Sequence, residues 1–487
     1  MSSNFLINED QENPSGLLVE QEDQPPFFKL PMPKIWESIK EIIDASFTTI
    51  LSLIYTYAAN LVSLAFLGYL KDSAMIGGAG LGFVCSNCCA YILITSINQG
   101  VNVLAAQAFG ANKPSIVALN YHRGLFILMV FLIPIFVLLG FSKPILMFFG
   151  IDSSLAQYAW EYILYAYPSF LFYGLFDCTK SYLYAQNIFK PILYIQTITT
   201  ALHFLWAWLF IIKLNLGPAG AGIAKSIYEF SNMMILFIYI FASRCCGENW
   251  VPLSKIEWRH RVLNWTGIKV FITTVAPIAA LLFLDMACYE IFTMLAGQFG
   301  QDQLAAHVAI ANTVTLYFSI PFGISITVMT FVSNSMGNIL PNKAKNSTYS
   351  GVILNLLISA AFVITLFICR ESWASLFSSN VEMKNLLLNL LKLYFIFVFI
   401  DGVQVVLSGT LKGIGKQNAA TVGLLISYYL VAIPLIYVLA FKLNLQVMGI
   451  WIGFLSGIAL LFVIYLLVLA KTNFRKQAIE IQTNFDD

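Results

Sequence analysis

Three acidic side chains stand where acids are rare. Asp285 and Glu290 lie in the run Leu284-Asp285-Met286-Ala287-Cys288-Tyr289-Glu290, and Asp401 follows Phe397-Val398-Phe399-Ile400. Burying a charged side chain at mid-membrane costs at least roughly 2.5–3.5 kcal/mol on insertion scales. None of the three has a basic residue three or four positions away, so no ion pair within the helix offsets that cost. A carboxyl so placed can take up and release protons at working pH. Asp285 and Glu290, five apart, stand about 140° apart around a helix and need not share a face.

Other charges inside apolar runs are compensated. Lys180 follows Asp177 by three residues and Glu229 follows Lys225 by four; both spacings permit pairing within a helix, and both read as neutralised pairs. His203 and His307 read as hydrogen-bonded packing residues rather than proton relays. Pro277, eight residues before Asp285, lacks a backbone donor and predicts a bend that could act as a hinge. Cys85-x-x-Cys88-Cys89 has no further ligand beside it, so no metal or other cofactor is expected. No phosphate loop, paired-histidine zinc motif or nucleophile elbow is present, which argues against an enzyme.

The elements that must carry these residues follow from composition. Of 487 residues 59% are hydrophobic and 11% charged, against about 25% charged in a soluble domain. The net charge of +2 gives no basis for nucleic-acid binding. Stretches 73–112 and 443–470 contain no Asp, Glu, Lys or Arg, and lack the alternation of a transmembrane barrel strand. The reading is an all-α polytopic membrane protein with twelve transmembrane helices. Its parts are a disordered tail over 1–33, a first six-helix lobe over 34–243, an interfacial linker over 244–267, a second six-helix lobe over 268–470, and a tail over 471–487. Residues 33–43 read as a helix lying in the interface. Lys and Arg, among them Lys113, Lys190, Arg259, Lys343 and Lys412, concentrate on the side of the termini, placing both termini in the cytosol.

The halves repeat. Lys213-Leu214-Asn215-Leu216 recurs as Lys442-Leu443-Asn444-Leu445, Gly220 pairs with Gly449, Gly68 with Gly297, Gly110 with Gly337 and Leu183 with Leu411, all at nearly one spacing. Six spans per half give both halves the same orientation, a parallel repeat about an axis along the membrane normal. Two such bundles can enclose a cavity that opens to each side in turn, which points to a transporter.

Four stretches carry a family resemblance. They are Gln99-Gly100-Val101-Asn102 on to Phe109-Gly110-Ala111; Tyr182-Leu183-Tyr184-Ala185-Gln186-Asn187; Asp401-Gly402-Val403-Gln404 on to Ser408-Gly409-Thr410-Leu411-Lys412-Gly413; and Tyr428-Tyr429-Leu430-Val431-Ala432-Ile433-Pro434. Together they resemble the multidrug and toxic compound extrusion (MATE) family in its eukaryotic branch. The resemblance implies a V of two lobes and cation-coupled export. It implies that Asp285, Glu290 and Asp401 bind protons and attract organic cations, with Asp285 in place of the usual Glu. Asp177, Gln303 and Tyr317 are candidate substrate-cavity residues. Gln303 stands where many members have an acid, Ser63 where bacterial members often have one, and Phe331 and Lys412 where many have Arg.

The function expected is a secondary active antiporter, a monomer, exporting organic cations, xenobiotics or amphiphilic metabolites in exchange for protons, with sodium as the alternative coupling ion. Its partners would be a small-molecule substrate and membrane lipid, in the plasma or vacuolar membrane. The rival readings are a lipid-linked oligosaccharide flippase and an exporter of anionic metabolites.

Overall fold

The computed structural model describes residues 35–70, 72–250, 261–378, 380–483 and 485. The tail over 1–33 and linker residues such as Arg259 lie outside the described residues. Twelve long helices follow in order: α1 (Ile35–Tyr69), α2 (Ser73–Gly110), α3 (Pro114–Gly140), α4 (Ser153–Ala185), α5 (Lys190–Lys213), α6 (Gly217–Ser243), α7 (Trp265–Gly297), α8 (Gln301–Gly337), α9 (Pro341–Ile368), α10 (Val381–Gly413), α11 (Gln417–Lys442) and α12 (Gln446–Lys471). A short α13 (Phe474–Thr483) closes the chain. Eleven of the twelve are long and apolar enough to cross a membrane. The other, α4, has the length, 33 residues, and owes its lower hydropathy to Glu161, Asp177, Lys180 and seven tyrosines.

The chain is all-α, as its composition requires. The surface helix expected over 33–43 is, from Ile35 on, the first turns of α1 itself; no proline or glycine interrupts the chain there, so helix continues through the change in polarity. Pro114, Pro191, Pro218 and Pro341 each sit in a first turn, where the missing N–H has no intrahelical partner to lose.

Two hydrophobic cores form. One gathers side chains of α1 to α6, the other Ile42 of α1 together with those from Leu281 through α12 and α13. Helix α7 belongs to both: Phe271 and Val275 pack in the first core, and Leu281, Cys288 and Phe292 in the second. Pro277 lies between the two sets.

The repeat is visible as paired detail. Helices α5 and α11 both end in a π-helical turn, Trp208–Lys213 and Tyr437–Lys442, leading into the Lys-Leu-Asn-Leu repeats. Asn215 and Asn444 take φ of 51° and 54° there, the left-handed region that asparagine tolerates better than most residues. Gly220 and Gly449 then lie against the preceding helix, where an added Cβ would stand 2.6 Å from Phe210 O or Ala440 N.

The lobes meet most closely where α2 crosses α8. Asn102 Nδ2 donates to Thr330 Oγ1 at 2.9 Å, and Thr330 Oγ1 lies 3.0 Å from Asn102 Oδ1. Nearer the termini, a Cβ on Gly110 would lie 2.0 Å from Asn334 O, and one on Gly337 1.9 Å from Gln107 O. Each glycine therefore admits the other helix's backbone. Gln107 Nε2 bonds Gly413 O at 3.1 Å, and Asn334 Nδ2 bonds Asn187 Oδ1 at 3.0 Å. Corresponding residues of the two halves thus face each other across a pseudo-two-fold axis.

Candidate functional site

Helix α10 sets Asp401, Gln404, Ser408 and Lys412 along one face by their spacing of three and four. Gln404 Nε2 donates to Asp401 Oδ1 at 3.0 Å. Asp401 is 2% exposed, and its Oδ2 has no partner among the described residues. Helix α7 brings Asp285 within Coulombic reach of both Asp401 and Lys412. Asp285, Gln404, Ser408 and Lys412, with Ser325 of α8, line a cavity of 30 Å³. That space admits about one or two waters. A carboxylate buried with an unpartnered oxygen is costly, and either a proton or a cation would offset the cost.

Lys412 is not the loop residue that its place near the end of a span suggests. It is 3% exposed, and its Nζ donates to Gln99 Oε1 at 2.9 Å, from the second lobe to the first. It lies in the last turn of α10, which continues to Gly413. The inventory of cytosolic loop charge therefore loses this member.

The other predicted residues are spread out. Glu290 is exposed and faces the first lobe, within Coulombic reach of Cys88 on the π-helical turn Asn87–Tyr91; it does not line the Asp285 cavity. Gln303 sits in the first turn of α8, about 33 Å along the helix from Ser325 at 1.5 Å per residue. Tyr317 is buried, its hydroxyl 2.6 Å from Ser359 Oγ and donating to Val398 O at 3.3 Å. It packs against Gly402, the residue that follows Asp401. The carbonyl of Pro277 accepts from Thr421 Oγ1 at 2.7 Å, tying α7 to α11.

Asp177 lines a second, central cavity of 140 Å³ between the lobes. Its Oδ1 pairs with Lys180 Nζ at 2.5 Å and its Oδ2 accepts from Asn98 Nδ2 at 2.8 Å. Lys225 Nζ, which lines the same cavity, pairs with Glu229 Oε1 at 2.9 Å. Both i,i+3 and i,i+4 pairs are therefore formed. Leu282, Phe318 and Phe322 line this cavity and the Asp285 cavity alike. His203 is bonded to Ser63 Oγ and Ala59 O, each at 3.0 Å, and His307 lies 3.1 Å from Thr293 Oγ1.

At the end of the bundle where α1 begins, a vestibule of 860 Å³ opens between α1, α5 and α8. Phe189 and Phe331 line it, Tyr184 lines the central cavity, and the three rings stack in series, with centroids 4.8 Å and 6.1 Å apart. They form an aromatic plug between the two spaces. Phe331, in place of the Arg common in the resembled family, completes it. Gln404, Gln99 and Lys412 were not singled out as site residues; the signal available was a polar residue every three or four positions from Asp401 along an apolar helix.

Comparison with known proteins fits this geometry. The MatE family model matches residues 49–209 and 277–438, two copies set off by the spacing that separates Leu183 from Leu411. Protein DETOXIFICATION 16 of Arabidopsis thaliana is 28% identical over 446 residues, covering 91% of this chain and 90% of that protein. The uncharacterized transporter C4B3.13 of Schizosaccharomyces pombe is 25% identical over 440 residues, covering 88% and 78%. The crystal structure of the eukaryotic MATE transporter AtDTX14 superposes with a TM-score of 0.85 at 22% identity, covering 92% of this chain and 99% of that one.

Fold and repeat define an integral, multi-pass membrane transporter built of two lobes. The chain belongs to the MatE family, in its eukaryotic MATE branch.

Proposed function

We propose that this transporter is a proton-coupled antiporter that exports organic cations and similar amphiphilic compounds by alternating access between its lobes. The observation that carries the reading is a pair of carboxyls, Asp285 and Asp401, neither of which forms a salt bridge among the described residues. Asp401 is buried with an oxygen that has no partner among the described residues, and Asp285, within Coulombic reach of it, lines a small cavity inside the second lobe. A proton and a cation compete for the same carboxyls, so binding one displaces the other, and the coupling is reciprocal. Glu290, exposed toward the first lobe, attracts cations on their way to that pair. Pro277, between the two cores, is the hinge of the reading. The name of the Arabidopsis relative, DETOXIFICATION, supports export of toxic compounds as the physiological task. Both termini lie in the cytosol in this account, and the plasma or vacuolar membrane is the site of export.

The test is uptake of a fluorescent organic cation into proteoliposomes with an acidic lumen. Wild-type uptake is expected to vanish when the proton gradient is collapsed and to persist when sodium is absent. Asp285→Asn and Asp401→Asn should each lower it about tenfold or more, the loss of an interaction worth about 1.4 kcal/mol or more. Gradient-driven uptake surviving in both variants would reject the assignment of these carboxyls.

A further inference from the structure

The central cavity is richer in hydrogen-bond donors than in acceptors, although its charges balance. Both Asp177 oxygens are engaged, one by Lys180 and one by Asn98. Glu229 pairs with Lys225 through one oxygen and accepts from Asn232 Nδ2 at 3.4 Å through the other, and it does not line the cavity. Lys180 and Lys225 do line it. Each ammonium carries three hydrogens, and each has one carboxylate partner in the structure. Gln99 Nε2, on a residue 4% exposed that lines the same cavity, has no partner among the described residues, and Asn60 Oδ1 is an unpartnered acceptor on the same lining. Unused donors around a buried space favour a ligand group that only accepts, and an ionised carboxylate is the strongest such group.

We propose that this cavity seats a carboxylate of the transported compound, held by Lys180 and Lys225, so that the substrates include zwitterions. This rests on the antiporter reading for the other end of the molecule, which places a cationic group at Asp285 and Asp401. The two poles are neighbours: Leu282, Phe318 and Phe322 form walls of both cavities and offer an apolar midsection. At 140 Å³ the basic pole holds an acid group and part of its carbon frame, not a whole drug-sized molecule, whose sites run to about 300–1,000 Å³. The aromatic face of Tyr91, 5.5 Å from Lys225 Nζ, borders the seat.

The experiment uses a matched pair of fluorescent xanthylium dyes, one with a free benzoate and the other its methyl ester. Binding to the purified full chain is read by fluorescence polarisation and transport by uptake into acidic-lumen proteoliposomes. Wild type should bind the acid more tightly than the ester, and free benzoate should displace the acid. Each ion pair is then removed whole, as Asp177→Asn with Lys180→Met and as Lys225→Met with Glu229→Gln, because removing one partner would strand a buried charge. Each double variant should raise the acid-to-ester KM ratio about tenfold, the loss of one charge-assisted hydrogen bond. A purely structural defect would alter both dyes alike and leave the ratio unmoved. Ester binding as tight as acid binding in wild type, or an unchanged ratio in both double variants, would overturn the proposal. Failure of the antiporter reading shows separately, as uptake of both dyes that survives Asp285→Asn and Asp401→Asn.

Discussion

Asn102 and Thr330 are side chains of corresponding position in the two halves, and they bond each other where the lobes cross. Thr330 is fully buried and Asn102 1% exposed, so neither can turn to water when its partner is lost. Thr330→Val should therefore destabilise the protein by about 1–3 kcal/mol, the penalty of an unsatisfied buried group. Removing both partners, with Asn102→Leu added, should restore part of that loss. Thermal unfolding in detergent measures both, and equal stability of wild type and Thr330→Val would show that the pair contributes nothing. Asp285 and Asp401 could be picked out in the sequence because each stands without a basic neighbour at helical spacing. Lys412 could not, because its partner Gln99 is in the other lobe and it stands just past the apolar run, where a lysine reads as cytosolic loop charge. Asp177–Lys180 and Lys225–Glu229 were legible as pairs, since their spacing alone brings the groups together. The excess of donors around them depends on Asn98, Asn232 and Gln99, which no spacing along one helix reveals.

Helices α2 and α8 approach so closely at Gly110 and Gly337 that a methyl group on either would overlap backbone. Gly337→Ala should push the two helices apart. Its thermal stability should fall below that of wild type, and cysteines placed at Gln107 and Asn334 should crosslink less readily. Unchanged crosslinking would mean that the crossing tolerates the extra atom. A second expectation concerns the start of α4, outside the apolar region. Asp152 caps that helix, its Oδ1 accepting from Ser154 Oγ at 2.6 Å and Ser154 N at 2.8 Å. The Ser154 hydroxyl and then its N–H hold the Asp152 carboxyl below its usual range. A carboxyl depressed in the folded state stabilises above its unfolded pKa, near 3.9, and loses that contribution as pH falls through the folded value. The melting temperature of wild type should thus fall more than that of Asp152→Asn as pH drops to about 3, and parallel pH curves would exclude a charged cap. Helix existence was legible from the charge-free runs, while helix ends were less so. At Ile35 the sequence changes polarity without a helix breaker, so the helix begins before the apolar run does.

Across the whole molecule, the two-lobe fold was legible because the pairs Gly110 with Gly337 and Gly220 with Gly449 and the Lys-Leu-Asn-Leu repeats mark positions that the backbone itself requires. The arrangement of spaces between the lobes was not, because it depends on side chains from both halves. The vestibule, the Tyr184–Phe189–Phe331 plug, the central cavity and the Asp285 cavity follow one another through the interior. Phe331→Ala should open the plug: in a background without the native cysteines, Tyr184→Cys should react faster with a membrane-impermeant thiol reagent when Phe331 is truncated. Equal rates would place the barrier elsewhere. The central claim is that one set of buried carboxyls serves both proton and cation. The most direct measurement is proton release on addition of a transported organic cation to purified protein in weakly buffered detergent, followed with a pH indicator. The account predicts release from wild type that disappears when Asp285→Asn and Asp401→Asn are combined. Cation binding without proton release in wild type, or release that persists in the double variant, would contradict it.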